Sequence, residues 1–148
     1  MKDAAGVKNL SSIVHQQHGQ LIVVVSAMGK TTNLLETLCN AYFHQDPKTT
    51  AIMKELKNFH LDIVNTLFPL NDTIHKHLEE LFTSLENILA SESSLCYDYE
   101  YDRIICFGEL ISTTIISDYL KMKGIENQFI DIRKFLKTDQ NYRNANID

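Results

Sequence analysis

The sequence lacks the residues and segments that mark several protein classes. It has no tryptophan, two prolines, five glycines and three cysteines, Cys39, Cys96 and Cys106, with no CxxC pair. An odd number of unpaired cysteines argues against a disulfide framework and suits a reducing compartment. No apolar run approaches the length of a membrane span, and the N-terminus has no signal-peptide layout. The sequence therefore predicts a soluble, cytoplasmic protein without a membrane partner.

Charge of one sign is not concentrated anywhere along the chain. The formal net charge is -5, and the 14 lysines and arginines are scattered rather than clustered. A basic nucleic-acid-binding footprint is therefore not apparent, and we expect no nucleic-acid partner. With 148 residues, 44% of them hydrophobic, the chain is long enough for one globular domain or for part of a larger one.

The chain is organised around the stretch from Leu21 to Leu35, LIVVVSAMGKTTNLL. The apolar run Leu21–Val25 stops at Ser26, small and hydroxyl residues follow, and leucines then return at helical spacing. This pattern predicts a buried strand, a tight polar turn and a helix start. The free N–H groups of a helix N-terminus favour anions, and open α/β sheets bind their ligands at this place.

Gly29-Lys30-Thr31 resembles the end of a phosphate-binding loop, but the spacing argues against one. That loop needs a glycine five residues before the Gly-Lys pair, where this chain has Val24. The alternative from the residues alone is a strand-to-helix turn without a ligand.

Helical periodicity predicts most of the remaining elements. Asp3 is a candidate cap of a first helix that Gly19 ends, and the helix after the central turn runs to about Phe43. Two amphipathic stretches separated by Pro69–Asp72 predict a helical hairpin, with Asp72 or Thr73 as N-cap. The two apolar stripes consist of Ile52, Leu56, Phe59, Ile63 and Leu67, and of Ile74, Leu78, Leu81, Leu85 and Ile88.

Three histidines near one glutamate suggest a metal site at first sight. His75 and His77 stand two positions apart, so on a helix they point away from each other and cannot share an ion. A structural zinc site would also need four convergent ligands. We therefore interpret these two residues, with His60 and Glu79, as parts of a solvated helix face.

In the last third of the chain, the sequence leaves the secondary structure of one segment undecided and predicts the other elements more clearly. Tyr97–Asp102 alternates tyrosine with acidic residues, which fits either an acidic edge segment or an ordered loop. A helix follows and ends at Gly124, and Gln128–Ile132 alternates apolar residues as a strand does. The tail from Arg133 is polar and rich in turn residues.

Glu109 stands at the start of a predicted helix, behind Gly108 and between apolar residues. The helix dipole stabilises a carboxylate there, and that carboxylate could bind a substrate ammonium group. The alternative is an ordinary preference for acidic residues in the first turn of a helix.

Three stretches in order carry a resemblance to aspartate kinases, closest to the monofunctional, lysine-type enzymes. Val23–Leu35 is similar to their second-strand motif, and Phe107–Thr113, FGELIST, is similar to their Gly-Glu-Leu helix start. Phe129–Lys134, through Thr138-Asp139, resembles the following strand and its Thr-Asp turn. The helical hairpin between the first two motifs agrees as well.

This resemblance implies an α/β fold of the amino-acid kinase (carbamate kinase-like) type. That fold is an αβα sandwich with a mostly parallel sheet, here with the helical hairpin as an insertion. The implied reaction transfers the γ-phosphoryl of ATP to the side-chain carboxylate of L-aspartate, giving 4-phospho-L-aspartate for lysine, threonine and methionine biosynthesis.

Matched positions imply a substrate site but no catalytic, cofactor or metal residue in this chain. Ser26 and Thr32 would line the aspartate pocket, and Glu109 would hold the α-ammonium group by a charge-assisted hydrogen bond. Lys30 matches the family only loosely, and we expect it in solvent. ATP with Mg²⁺ and a homodimeric state are implied for the full-length parent only.

Departures from the family pattern bear on activity. The leading Lys-Phe-Gly-Gly-Thr-Ser motif and the later Gly-Arg-Gly-Gly-Ser-Asp motif are absent, and Tyr142-Arg143 replaces the usual Phe-Gly. Residues 1–148 are therefore expected to form a partial kinase domain without activity of its own. The alternatives are a non-catalytic α/β module for binding or assembly and, more weakly, another amino-acid kinase.

Overall fold

A computed structural model describes residues 1–69 and 72–147, and its helices follow the predicted apolar periodicity. The described part contains six helices: α1 (Ala4–His15), α2 (Thr31–Phe43), α3 (Thr49–Leu67), α4 (Asp72–Ala90), α5 (Tyr97–Ile105) and α6 (Phe107–Met122). A 3₁₀ turn covers Ile132–Lys134, and one isolated β-bridge joins Thr138 to Ile147. Within the described residues, no helix is both long and apolar enough to cross a lipid bilayer.

The prediction of an αβα sandwich with a mostly parallel sheet is wrong. Residues 1–69 and 72–147 form a helical structure without a strand or a sheet. A strand exists only through hydrogen bonds to a neighbouring strand, and Leu21–Val25 has no such neighbour in the described structure. Ile22 and Val24 are 90% and 92% exposed. Leu21–Val24 is therefore an exposed segment, and only Val25 of this run is half-buried against the core.

The strand predicted at Gln128–Ile132 is also wrong. Ile130 and Ile132 are exposed, and the chain turns at Asp131, whose carboxylate accepts a hydrogen bond from the Arg133 N–H at 3.2 Å. This local bond caps the 3₁₀ turn in place of a strand ladder.

The helical hairpin is confirmed, with α3 and α4 each 19 residues long and packed against each other. Leu70 and Asn71 of the predicted turn lie outside the described residues, as does the Asp72 side chain. α2 packs against α3, α5 and α6 and lies at the centre of the core. The largest fully buried side chains of this core are Met28, Leu35, Leu38, Leu56, Phe68, Ile74, Leu78, Phe82, Leu85, Ile104, Ile111 and Ile115.

Three predicted helix ends are confirmed, at Asp3, at Phe43 for α2 and before Gly124, and one is displaced. The Asp3 carboxylate accepts a hydrogen bond from the Gly6 N–H at 3.0 Å and caps α1. α6 ends at Met122, and Gly124 follows with a φ of +76°. Gly19 also has a positive φ, but α1 has already ended at His15.

The alternating segment Tyr97–Asp102 is neither an edge segment nor a loop, because it forms the first two turns of α5. Glu100 is fully buried in this helix. Its carboxylate accepts hydrogen bonds from the Ser94 N–H at 2.7 Å and from the Arg103 guanidinium at 3.0 Å. These bonds satisfy a carboxylate that would otherwise oppose burial.

The tail is attached to α5 through Arg143, which occupies the left-handed region with a φ of +62°. Its N–H donates to the Asp102 carboxylate at 2.9 Å and its guanidinium donates to Asp98 at 3.2 Å. The guanidinium also lies 4.3 Å from the centre of the Tyr101 ring. These contacts favour an arginine at a backbone conformation that suits glycine, the residue usual in the resembling family.

Candidate functional site

The central turn between Ser26 and Thr31 is held from two sides. Gly29 has a φ of +56°, and its N–H donates to the Met1 carbonyl at 2.9 Å. A Cβ at Gly29 would lie 3.0 Å from the Phe59 ring of α3 and 3.1 Å from the Lys2 carbonyl oxygen. Glycine is therefore required here both by backbone conformation and by space.

The start of α6 lies against this turn through Gly108. A Cβ at Gly108 would lie 2.9 Å from the Ala27 Cβ, 3.2 Å from the Leu35 Cδ1 and 3.6 Å from the Thr31 Cγ2. The absent side chain lets α6 approach the turn and the first turn of α2 closely. Glu109 follows directly, so this approach brings its carboxylate to the turn.

Two hydrogen bonds join the start of α6 to the turn across more than 80 residues of sequence. The Glu109 Oε1 accepts from the Ala27 N–H at 3.3 Å. The Oγ of the buried Ser112 lies 3.0 Å from the Ser26 carbonyl oxygen and 3.1 Å from the Glu109 carbonyl oxygen. Glu109 is half-buried and Ser26 is exposed, so a solute can reach this edge of the turn.

Thr32 lies in the first turn of α2, half-buried, next to the buried Thr31. Ser26, Thr32 and Glu109 all fall within the described part of the chain, and no hydrogen bond joins their side chains directly. The structure instead brings their backbone neighbours Ala27, Thr31 and Gly108 into contact. The first N–H groups of a helix have no partner within it, and the Lys30 side chain does not cap α2. The Thr31 N–H instead donates to the Met28 carbonyl of the turn at 3.0 Å.

His60 is a residue of this region that the sequence-based interpretation misplaced. It is fully buried rather than on a solvated face, and its Nδ1 lies 2.8 Å from the Leu56 carbonyl oxygen. Its Nε2 lies 3.3 Å from the Thr31 Oγ1. Burial lowers the pKa of His60 below its ordinary value, against a smaller opposite effect of the Leu56 carbonyl. His60 stands four residues after Leu56 and three before Ile63, which places it on the apolar face of the helix. This spacing is the sequence signal that could have indicated its burial.

The other histidines do not gather at the turn. The His77 Nδ1 lies 2.6 Å from the Asp118 carboxylate, far along the sequence from the central stretch. Across residues 1–69 and 72–147, no group of three or more His, Cys, Asp or Glu side chains is placed to hold a metal ion.

The residues of the turn do not fit a bound nucleotide. The Gly29 N–H is occupied by the Met1 carbonyl, and the space beside Gly29 is taken by Phe59 and Lys2. A phosphate-binding loop needs backbone N–H groups that are free to donate to the phosphate, and the Gly29 N–H is not free. We therefore derive no step through ATP or Mg²⁺ from these residues.

Comparisons with known proteins agree with one another on a single family. No family model matches the sequence. The chain is 31% identical to aspartokinase 2, chloroplastic, of Arabidopsis thaliana over 134 residues, which cover 85% of this chain and 24% of that protein. It is 24% identical to the lysine-sensitive aspartokinase 3 of Escherichia coli K12, over 99% of this chain and 32% of the relative.

The fold agrees with solved structures of the same kind of protein. E. coli aspartokinase III in complex with lysine and aspartate superposes with a TM-score of 0.84 at 23% identity, over 99% of this chain and 32% of that one. Its complex with aspartate and ADP gives a TM-score of 0.85 at 22% identity. The chain thus spans about a quarter to a third of the length of these proteins. The predicted resemblance to aspartokinases is confirmed over 85% to 99% of this chain.

Proposed function

We propose that this chain forms the aspartate-binding part of an aspartate kinase. In the complete enzyme, the γ-phosphoryl of ATP would pass to the side-chain carboxylate of L-aspartate, giving 4-phospho-L-aspartate. The proposal for the substrate draws on the relatives, since the two solved aspartokinase III structures carry aspartate.

One observation carries the proposal within this chain, namely the position of Glu109 at the central turn. Its carboxylate lies 3.3 Å from the Ala27 N–H, beside the uncapped start of α2. An amino acid offers both an ammonium group and carboxylates. The Thr31 N–H donates to the Met28 carbonyl at 3.0 Å, so the helix donors for a substrate are the N–H groups of Thr32 and Asn33. A carboxylate at one end of a site and these N–H groups at the other are complementary to the charges of an amino acid.

We assign three roles in substrate binding from this arrangement. A carboxylate accepts several hydrogen bonds, so Glu109 can bind the α-ammonium group while it accepts from Ala27. The Thr32 hydroxyl and the N–H groups of Thr32 and Asn33 would donate to a substrate carboxylate. Ser26 would supply a further hydroxyl at the exposed edge of the turn. In phosphoryl transfer such residues contribute mainly by positioning the acceptor oxygen.

The proposal is tested by titrating the isotope-labelled chain with L-aspartate and following its amide resonances by NMR. We expect saturable shifts centred on Ser26, Thr32 and Glu109. L-Asparagine is the matched control ligand, because it lacks only the side-chain charge and should bind more weakly. Shifts that are absent, or that spread evenly over the surface without saturation, would contradict aspartate binding by this chain.

Binding is expected without turnover. Phosphoryl transfer requires cationic groups that neutralise the transferring phosphate, and the turn residues do not fit a nucleotide. A coupled assay for ADP release should show no dependence on L-aspartate above the rate without enzyme. Aspartate-dependent ADP release by this chain would overturn that expectation, whereas binding without release also agrees with a module that only binds.

A further inference from the structure

Thr31 occupies a position between the helices that carry the proposed site. Its hydroxyl lies 3.3 Å from the His60 Nε2 of α3, and its methyl group lies 3.6 Å from the Cβ position at Gly108 of α6. Thr31 is the first residue of α2 and is 1% exposed. It directly precedes Thr32, and its α6 contact directly precedes Glu109.

The hydrogen bonds of His60 define its tautomer. The Leu56 carbonyl oxygen can only accept, so the His60 Nδ1, at 2.8 Å, must carry a proton. A neutral ring then has a lone pair at Nε2, and the hydroxyl of Thr31 must donate to it. The rotation of the Thr31 hydroxyl is thereby fixed.

A leucine would fill the His60 position at lower cost if only packing mattered there. His60 is fully buried on the same apolar face as Leu56 and Ile63, with Phe59 and Phe82 as aromatic neighbours. Burying an imidazole carries a desolvation penalty that its two hydrogen bonds must offset. The bond to the Thr31 hydroxyl connects α3 with the first residue of α2, and the bond to the Leu56 carbonyl, within α3, orients the ring.

We propose that His60 is a positioning residue for the aspartate site, which through the Thr31 hydroxyl fixes the first turn of α2 and the donors of Thr32. This inference rests on the proposed function. His60 itself does not contact the substrate, since it is fully buried behind Thr31.

Two matched pairs of variants distinguish the effect of the hydrogen bond on binding from the effect of packing. Thr31→Val removes the hydroxyl and keeps the shape, whereas Thr31→Ser keeps the hydroxyl. His60→Leu removes the acceptor, whereas the His60→Gln side chain can place an amide oxygen near the Nε2 position. Ile63→Val, on the same helix, is the control for a modest loss of stability without any change at the site.

We expect Thr31→Val and His60→Leu to weaken L-aspartate binding about fivefold to tenfold in the NMR titration, as loss of one hydrogen bond predicts. Thr31→Ser and His60→Gln should retain most of the affinity, and Ile63→Val all of it. Unchanged affinity in Thr31→Val and His60→Leu would overturn the inference and leave the proposed function intact. Equal weakening by Ile63→Val would also overturn it, because stability alone would then explain the loss.

A measurement on the ligand-free chain keeps the two proposals distinguishable. Long-range ¹H–¹⁵N spectra of the imidazoles should show a protonated Nδ1 and an unprotonated Nε2 for His60. Thr31→Val should shift the Nε2 resonance and the Thr32 amide, and Thr31→Ser should shift them much less. If the wild-type chain does not bind aspartate, the proposed function fails. In that case, shifts of the Nε2 resonance and the Thr32 amide in Thr31→Val still support the hydrogen bond from His60 to α2, and the absence of these shifts overturns it.

Discussion

The Glu109 carboxylate accepts a hydrogen bond from the Ala27 N–H at 3.3 Å, although 82 residues separate the two in sequence. This bond fixes the start of α6 on the central turn, and Gly108 makes the approach possible. The result is a half-buried carboxylate beside the uncapped N-terminus of α2. The proposed binding of an amino acid depends on that pairing.

Gly108→Ala should destabilise the chain although alanine favours a helix. The new Cβ would lie 2.9 Å from the Ala27 Cβ, which cannot rotate away, and 3.2 Å from Leu35. We expect a loss of about 1–3 kcal/mol in the free energy of unfolding, measured by urea denaturation.

Gly6→Ala is the matched control, because Gly6 also lies within a helix, α1. Its nearest neighbour is the flexible Met1 side chain, which can move. For Gly6→Ala we expect no decrease in the free energy of unfolding, and an increase of up to about 1 kcal/mol because alanine has a higher helix propensity than glycine. Equal effects of the two substitutions would contradict close packing at Gly108.

Stability should decrease as the solution becomes mildly acidic. Burial lowers the pKa of His60 below 6.5, so the unfolded chain takes up a proton at a pH where the folded chain does not. The contribution of the neutral His60 is thus complete above the unfolded pKa and is lost as the pH falls below it. Urea denaturation at about pH 7.5 and about pH 5 should show this decrease.

His60→Leu is the control for the assignment to that residue. The variant should show a smaller decrease in the free energy of unfolding between the two pH values than the wild-type chain does. The same decrease in both proteins would show that another group causes it.

The three cysteines should react with iodoacetamide at different rates. Cys96 is exposed, Cys106 is partly buried, and Cys39 is buried. Burial raises the pKa of the Cys39 thiol to about 11, and burial also raises that of Cys106 against the opposing effect of Arg133. Because the thiolate is the reactive form, we expect labelling in the order Cys96, Cys106, Cys39. Peptide mass spectrometry after timed quenching measures the order.

Denaturant provides the control for this labelling order. In the unfolded chain, all three cysteines should react at similar rates. Labelling of Cys39 as fast as that of Cys96 in the native chain would contradict the burial of Cys39.

The helices could be predicted from the sequence because their signals are local. The stripe that includes Leu56 and Ile63 repeats at three- and four-residue spacing, and these residues are buried in α3. Asp3 and Gly124 mark helix ends by their own chemistry and conformation. Each of these signals needs only residues within one or two turns.

The absence of strands from the described residues and the helical state of α5 could not be predicted in this way, because both depend on distant partners. Leu21–Val25 has the composition of a buried strand, yet pairing depends on a second segment. The tyrosines at 97, 99 and 101 alternate as in a strand. Tyr97 and Tyr101, however, are also four residues apart, and in α5 their rings lie with centres 6.3 Å apart and an interplanar angle of 48°. Packing against α2 decides between the two periods.

The candidate site was predictable only in part. The sequence places Glu109 at a helix start, and the structure has it in the first turn of α6. That Ser26, Thr32 and Glu109 bind a substrate stays a prediction. The role of Gly108 depends on contacts with Ala27 across the fold, which the sequence alone does not reveal.

The most direct test of the account compares L-aspartate with succinate on the wild-type chain and on Glu109→Gln. Succinate has both carboxylates of aspartate but no ammonium group, so it should gain nothing from the charge of Glu109. We expect Glu109→Gln to weaken L-aspartate binding about 10- to 100-fold, as loss of a charge-assisted hydrogen bond predicts, and to leave succinate binding unchanged or stronger. If the substitution weakens both ligands equally, or neither, Glu109 does not bind the ammonium group and the proposed site is wrong.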